Sequence, residues 1–62
     1  MAFTVIWYGK MGMVEKTSFD AERAARDHAL ATFASRKQID SVVCVEVRKE
    51  NGEVVFSHAE RN

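Results

Sequence analysis

The stretch SVVCVEVRKENGEVVFSHA, residues 41–59, decides the fold. Its first half, Ser41 to Lys49, is rich in valine, the residue type that suits a pleated, half-buried surface. Asn51-Gly52 then interrupts the run, with alternating residues on both sides. An Asn-Gly pair so flanked signals a tight hairpin, because a two-residue type I′ turn needs φ > 0 at both central positions. That turn sets Val47 opposite Phe56 and Val45 opposite His58. One face then holds Val43, Val45, Val47, Val54 and Phe56. The other holds Cys44, Glu46, Arg48, Val55 and Ser57. Turn register and hydrophobic alternation agree, and a strand with one buried face has its register set by that agreement. Glu60, Arg61 and Asn62 read as a short tail.

Upstream lies a helix. Asp20 is a good N-cap residue, Phe19 can pack as a staple in front of it, and Glu22 sits where the helix dipole favours a carboxylate. Alanine-rich sequence runs on to Arg36 or Lys37, cations suited to a last turn. With Ala21 at zero and about 100° per residue, Ala21, Ala24, Ala25, His28, Ala31 and Thr32 form one stripe of small side chains. Such a stripe lets a helix lie close on a sheet bearing large residues. Leu30 falls at about 180° and Phe33 at about 120° on the same wheel.

The N-terminal segment Phe3 to Tyr8, FTVIWY, alternates as a strand. Phe3, Val5 and Trp7 share one face; Thr4, Ile6 and Tyr8 share the other. Gly9 to Gly12 reads as a loop and Met13 to Thr17 as a returning strand. In that register Tyr8 opposes Met13 and Trp7 opposes Val14, so Val14 joins the core face while Met13, Glu15 and Thr17 join the other. The expected fold is α+β: a β-β-α-β-β chain whose four-stranded antiparallel sheet carries one helix on one face. Residues 1–62 form a single domain.

Composition narrows the function. Nine Lys and Arg balance nine Asp and Glu, giving zero net charge. A nucleic-acid binder is expected to carry a basic excess, so nucleic acid is not the primary partner. A weak single-stranded binder, stacking bases on Trp7 and Tyr8 beside Lys10 and Arg48, is the lesser alternative. The longest apolar run, Val42 to Val45, is far too short to span a membrane. The N-terminus lacks a basic region and an apolar run of signal-peptide length. With one cysteine and no internal disulfide available, the expected location is the cytoplasm.

Chemistry is not indicated. Gly9-Lys10-Met11-Gly12 lacks the order and the Ser or Thr of a phosphate-binding loop. His28, Cys44 and His58 are the soft metal ligands, and alternation sets His58 and Cys44 on opposite faces. Four scattered serines have no glycine elbow or neighbouring base. The expectation is therefore a non-enzymatic protein, without catalytic residues, metal or cofactor.

Contact is indicated instead. One helix covers one sheet face, so Ile6, Tyr8, Met13, Cys44 and Val55 meet water or a partner on the other. On the helix, Leu30 and Ala34 lie among Arg23, Arg26 and Lys37, and Phe33 falls either at the core edge or with them. Arginine and aromatic residues are enriched at interface cores. The candidate partner-binding residues are Tyr8, Lys10, Met11 and Met13 at the first hairpin, and Arg23, Arg26, Leu30 and Phe33 on the helix. A 62-residue domain has a thin stability margin, which favours a partner or a homodimer.

TSFDAERAARDHALATFASRKQ (17–38) followed by SVVCVEVRKENGEVVFSHAE (41–60) resembles the helix-plus-hairpin unit of some small anti-CRISPR proteins of bacteriophages and mobile elements. The resemblance lies in pattern and transfers no functional residue. It implies a stoichiometric inhibitor in the host cytoplasm that blocks a defence or nucleic-acid-processing protein. The balanced charge departs from plain DNA mimicry.

Overall fold

In a computed structural model of the chain, residues 2–59 are described; the 60–62 tail lies outside them. The elements are β1 (Phe3–Gly9), β2 (Gly12–Phe19), α1 (Glu22–Asp40), β3 (Val42–Lys49) and β4 (Val54–Ala59). The strands form one antiparallel sheet in the order β2-β1-β3-β4, so β2 and β4 are its edges. The helix packs against β3, β1 and β2. This is the β-β-α-β-β arrangement expected, an antiparallel sheet with one helix on one face.

The core is Val5, Trp7, Ala25, Ala29, Phe33, Val42, Val45 and Val47, with Phe3, Phe19, Val55 and Phe56 packed against it. Trp7 and the four valines are fully buried. Trp7 is roofed by the helix: the Arg36 guanidinium stands 5.6 Å from its ring centroid, and the His28 ring lies 6.2 Å away edge-on. The indole Nε1 is buried without a hydrogen-bond partner among the described residues.

Each strand pairing contains one register shift, and each leaves one valine as the unpaired extra residue. Between β1 and β2, Trp7 pairs with Glu15 and Tyr8 with Met13, leaving out Val14. Between β1 and β3, Tyr8 pairs with Cys44 and Gly9 with Val42, leaving out Val43. Between β3 and β4, Val47 pairs with Phe56 and Arg48 with Val54, leaving out Val55. These are β-bulges, in which two residues oppose one and the side chains beyond exchange faces.

The bulges correct the placement of six residues. Val14 is 42% exposed and not core. Glu15 and Thr17 stand on the helix face, where Glu15 Oε1 meets Arg36 Nη1 at 2.7 Å. Val42 is buried, and Val43 half-buried. Val54 is 42% exposed, whereas Val55 packs on the core. A regular ladder predicts none of this, because alternation alone cannot say where one strand gains a residue.

The second turn differs in type and agrees in outcome. The Gly52 N–H donates to the Lys49 carbonyl and the Lys49 N–H to the Glu53 carbonyl, both at 2.9 Å. Asn51 Oδ1 accepts from the Glu53 N–H at 2.9 Å. Gly52 has φ of 91° while Asn51 is not in the positive-φ region, so the turn is not type I′. It is a three-residue loop, Glu50 to Gly52, closed by a left-handed glycine. That loop moves the register by one residue and the bulge at Val55 moves it back. Val47 thus still opposes Phe56, and Val45 still opposes His58.

The helix departs from expectation at both ends and in rotation. Its N-cap is Ala21, which makes no side-chain cap bond, rather than Asp20. It runs past Lys37 to Asp40 and stops at Ser41, whose φ of 57° and ψ of 36° are left-handed. Its buried line is Ala25, Ala29 and Phe33, flanked by half-buried Glu22, His28, Thr32 and Arg36. Ala21, Ala24 and Ala31 are exposed. The core stripe is thus centred on Ala29, about 80° round from Ala21. Burying a phenylalanine removes far more apolar area from water than burying an alanine, so Phe33 sets the rotation.

Candidate functional site

The structure separates the eight candidate contact residues into four settings. Lys10, Met11 and Met13 lie together at the β1–β2 hairpin end. Gly9 pairs with Gly12, leaving Lys10 and Met11 as a two-residue tip, and Gly12 closes it with φ of 119°. Met11 is fully exposed and Met13 is 59% exposed. Lys10 to Val14, with Gly9 and Ser41, line a shallow concavity between the tip and the end of the helix.

Two residues not singled out in the sequence belong near this end. Val14 is the bulged residue beside Met13. Ile39 is 78% exposed on the last turn of α1, three positions beyond Arg36, which reaches Glu15. Val14 escaped notice because an unbroken ladder places it inside. Ile39 escaped because the helix was expected to stop before it.

Arg23, Arg26 and Leu30 form the second setting, on the helix flank that overhangs β4. With Glu22 and Asp27 they line a shallow surface concavity. Arg26 Nη1 is 3.5 Å from Glu22 Oε2, and its guanidinium is 5.1 Å from the Phe56 ring centroid. Arg23 Nε is 4.0 Å from Asp27 Oδ2, and both side chains are largely exposed. Leu30 is 50% exposed. Exposed i,i+4 pairs of this kind contribute only about 0.3–0.5 kcal/mol, so they orient the arginines more than they stabilise the fold.

Phe33 stands apart as a correction. It is 9% exposed, belongs to the core, and meets the His58 ring edge-on at 4.7 Å. It is a packing residue and drops out of the contact surface.

Tyr8 is the fourth setting, on the sheet face away from the helix. It is half-buried between its strand partners Met13 and Cys44. Its side chain faces the Glu46 carboxylate and Arg48 across the β1–β3 pairing. Arg48 in turn donates from Nε and Nη2 to Glu46 Oε1, at 3.2 and 3.0 Å. Desolvation, then the Glu46 carboxylate, push the Tyr8 phenol above its ordinary 10.0. Desolvation and the Glu46 charge likewise raise the Cys44 thiol above 9.0. A raised thiol pKa means less thiolate at neutral pH and a weaker nucleophile.

Among the described residues, no three of His, Cys, Asp and Glu gather as a metal-ligand set. No described helix is long and apolar enough to cross a membrane. Comparison with known families, with characterised proteins and with solved structures finds no match to this chain.

Proposed function

We propose that this protein is a non-enzymatic protein-binding module whose hairpin end docks into a partner. The observation that carries the reading is the apolar tip: Met11, Met13 and Val14 exposed in succession beside Lys10. Methionine is unbranched and polarisable, and it adapts to irregular apolar surfaces, which is why it recurs at binding faces. The tip is held by a bulged hairpin with a glycine on either side of Lys10 and Met11, so it is presented at one end of the sheet. The pattern-level resemblance to small anti-CRISPR proteins extends the proposal. The partner is then a host defence or nucleic-acid-processing protein, blocked by steric occlusion in the cytoplasm.

Single-stranded nucleic acid is the weaker reading. Trp7 is fully buried and offers no stacking face, and Arg48 is engaged with Glu46 and Tyr8.

The test is affinity capture from bacterial lysate with the wild-type chain and a Met11→Glu/Met13→Glu variant as baits, read by mass spectrometry. A partner enriched by wild type and lost at least tenfold with the variant supports the reading. Equal recovery on both baits removes the hairpin end as the docking site. Circular dichroism of the variant establishes that the fold is intact.

A further inference from the structure

We propose that β4 is a self-pairing edge: two copies of the chain join β4 to β4 antiparallel about a two-fold axis at Ser57. The join merges two four-stranded sheets into one continuous sheet. The inference concerns a different surface from the hairpin end and stands whether or not that end binds a partner.

The two edges of the sheet are built differently. An uncovered edge strand presents unpaired N–H and C=O groups; monomeric proteins blunt such edges with bulges and short strands, and further defend them with charged side chains. β2 is defended in this way, with Glu15 and Lys16 in mid-strand. β4, Val-Val-Phe-Ser-His-Ala, carries no Asp, Glu, Lys or Arg. Among the described residues nothing pairs with its outer edge. The helix lies over the other three strands and reaches β4 through side chains: Arg26 over Phe56 and Phe33 against His58.

The register follows from the bulge. Val55 is the extra residue, so the regular ladder of β4 runs from Phe56 to Ala59. Centring the pair on Ser57 sets Phe56 opposite His58 of the second copy, within the regular ladder. No charged side chain of one copy meets a like charge of the other, which directly opposed strand positions disfavour. Centring on His58 instead sets imidazole against imidazole. Centring on Phe56 drives the pairing through the bulge.

The flank above the edge fits a second copy. Leu30 lies between Arg26, which marks the level of Phe56, and Phe33, which marks the level of His58. The two-fold axis sets this half-exposed leucine on the same side of the joined sheet in both copies. Around it Arg23 and Arg26 are matched by Glu22 and Asp27. A belt with both signs in equal number meets its own copy without net repulsion, and the whole chain has zero net charge. A partner of strong single sign is not what this belt selects.

Sedimentation equilibrium from about 5 μM to about 1 mM tests the proposal, a range that brackets weak self-association. The mass is expected to rise from 7.0 kDa toward twice that value. Ser57→Lys places like charges face to face on the axis of an exposed position and should weaken association at least tenfold. Lys16→Glu on β2 should leave it unchanged. Ser57→Cys in a Cys44→Ser background should cross-link to a covalent dimer on mild oxidation, since the two cysteines then face each other. A wild-type chain that stays at 7.0 kDa throughout overturns the proposal. So does a dimer that Ser57→Lys leaves intact. If Ser57→Lys fails to fold by circular dichroism, the cross-link decides: its formation supports the axis at Ser57, and its absence overturns it. None of these variants touches Met11 or Met13, so failure here leaves the hairpin-end reading standing.

Discussion

Tyr8 shows how a single residue acquires its properties from neighbours on two strands. Alternation alone sets it on the face opposite Trp7. It faces Glu46 and Arg48 because β3 pairs with β1, which no local pattern announces. The pH behaviour follows from the same contacts. Tyr8 and Cys44 both have folded pKa values raised above their ordinary 10.0 and 9.0. In alkali the unfolded chain loses these protons first, so it binds fewer protons than the folded chain and stability falls as pH rises. The stabilisation is complete below about pH 9 and is lost as pH climbs past the folded values. Thermal melts of wild type between pH 8 and 11 should show a falling midpoint. Tyr8→Phe should flatten the part of that fall above pH 10, and an unchanged slope would contradict the assignment.

At the scale of elements, the helix shows both what local chemistry decides and what it leaves open. Phe19, Asp20 and Glu22 announce a start, and the start is within one residue of where they place it. The cap itself is Ala21, with an extended φ of −130° and no side-chain oxygen to offer. The stop is set by Ser41 in the left-handed region, where a side chain costs roughly 1–2 kcal/mol and glycine costs little. Its N–H bonds the Arg36 carbonyl, so the capping geometry is already made. Ser41→Gly should therefore stabilise the chain by about 1 kcal/mol, raising the midpoint by about 4–8 °C for a domain of this size. Calorimetry checks this; a lowered midpoint would show that the serine hydroxyl outweighs the backbone strain. The strands tell a parallel story. Each was legible as a strand, and the order along the chain was legible too. The three bulges were not, since valine suits a regular strand position and a bulged one equally well. That is why Glu15, expected on the face away from the helix, stands instead against Arg36.

For the whole molecule, the core rests on few large side chains. A 62-residue domain has on the order of 3–9 kcal/mol of stability. Trp7, wholly buried beneath Arg36 and His28, fills the middle of that core. Removing a buried Trp to Ala costs about 3–5 kcal/mol, comparable with the entire margin. Trp7→Ala should be largely unfolded at 25 °C, while Trp7→Phe remains folded with a lowered midpoint. Far-ultraviolet circular dichroism distinguishes them, and a cooperative wild-type-like melt of Trp7→Ala would show that the core does not depend on the indole. Contact surfaces also belong to this scale. Met11 was legible as exposed, because a loop tip between glycines has nowhere to bury it. Phe33 was ambiguous on the helical wheel, and burial of its ring decides it as core.

The sequence by itself determined the element order, the antiparallel hairpins, and the inward direction of Val5 and Trp7. These follow from alternation, turn residues and capping, which act over a few neighbours. Only the tertiary structure decided the three bulges, the rotation of the helix about Phe33, the Glu15–Arg36 pair and the unequal defence of the two sheet edges. Those depend on how twisted strands and one helix share a small core, where the large apolar rings claim the interior first and the remaining side chains take the places left to them.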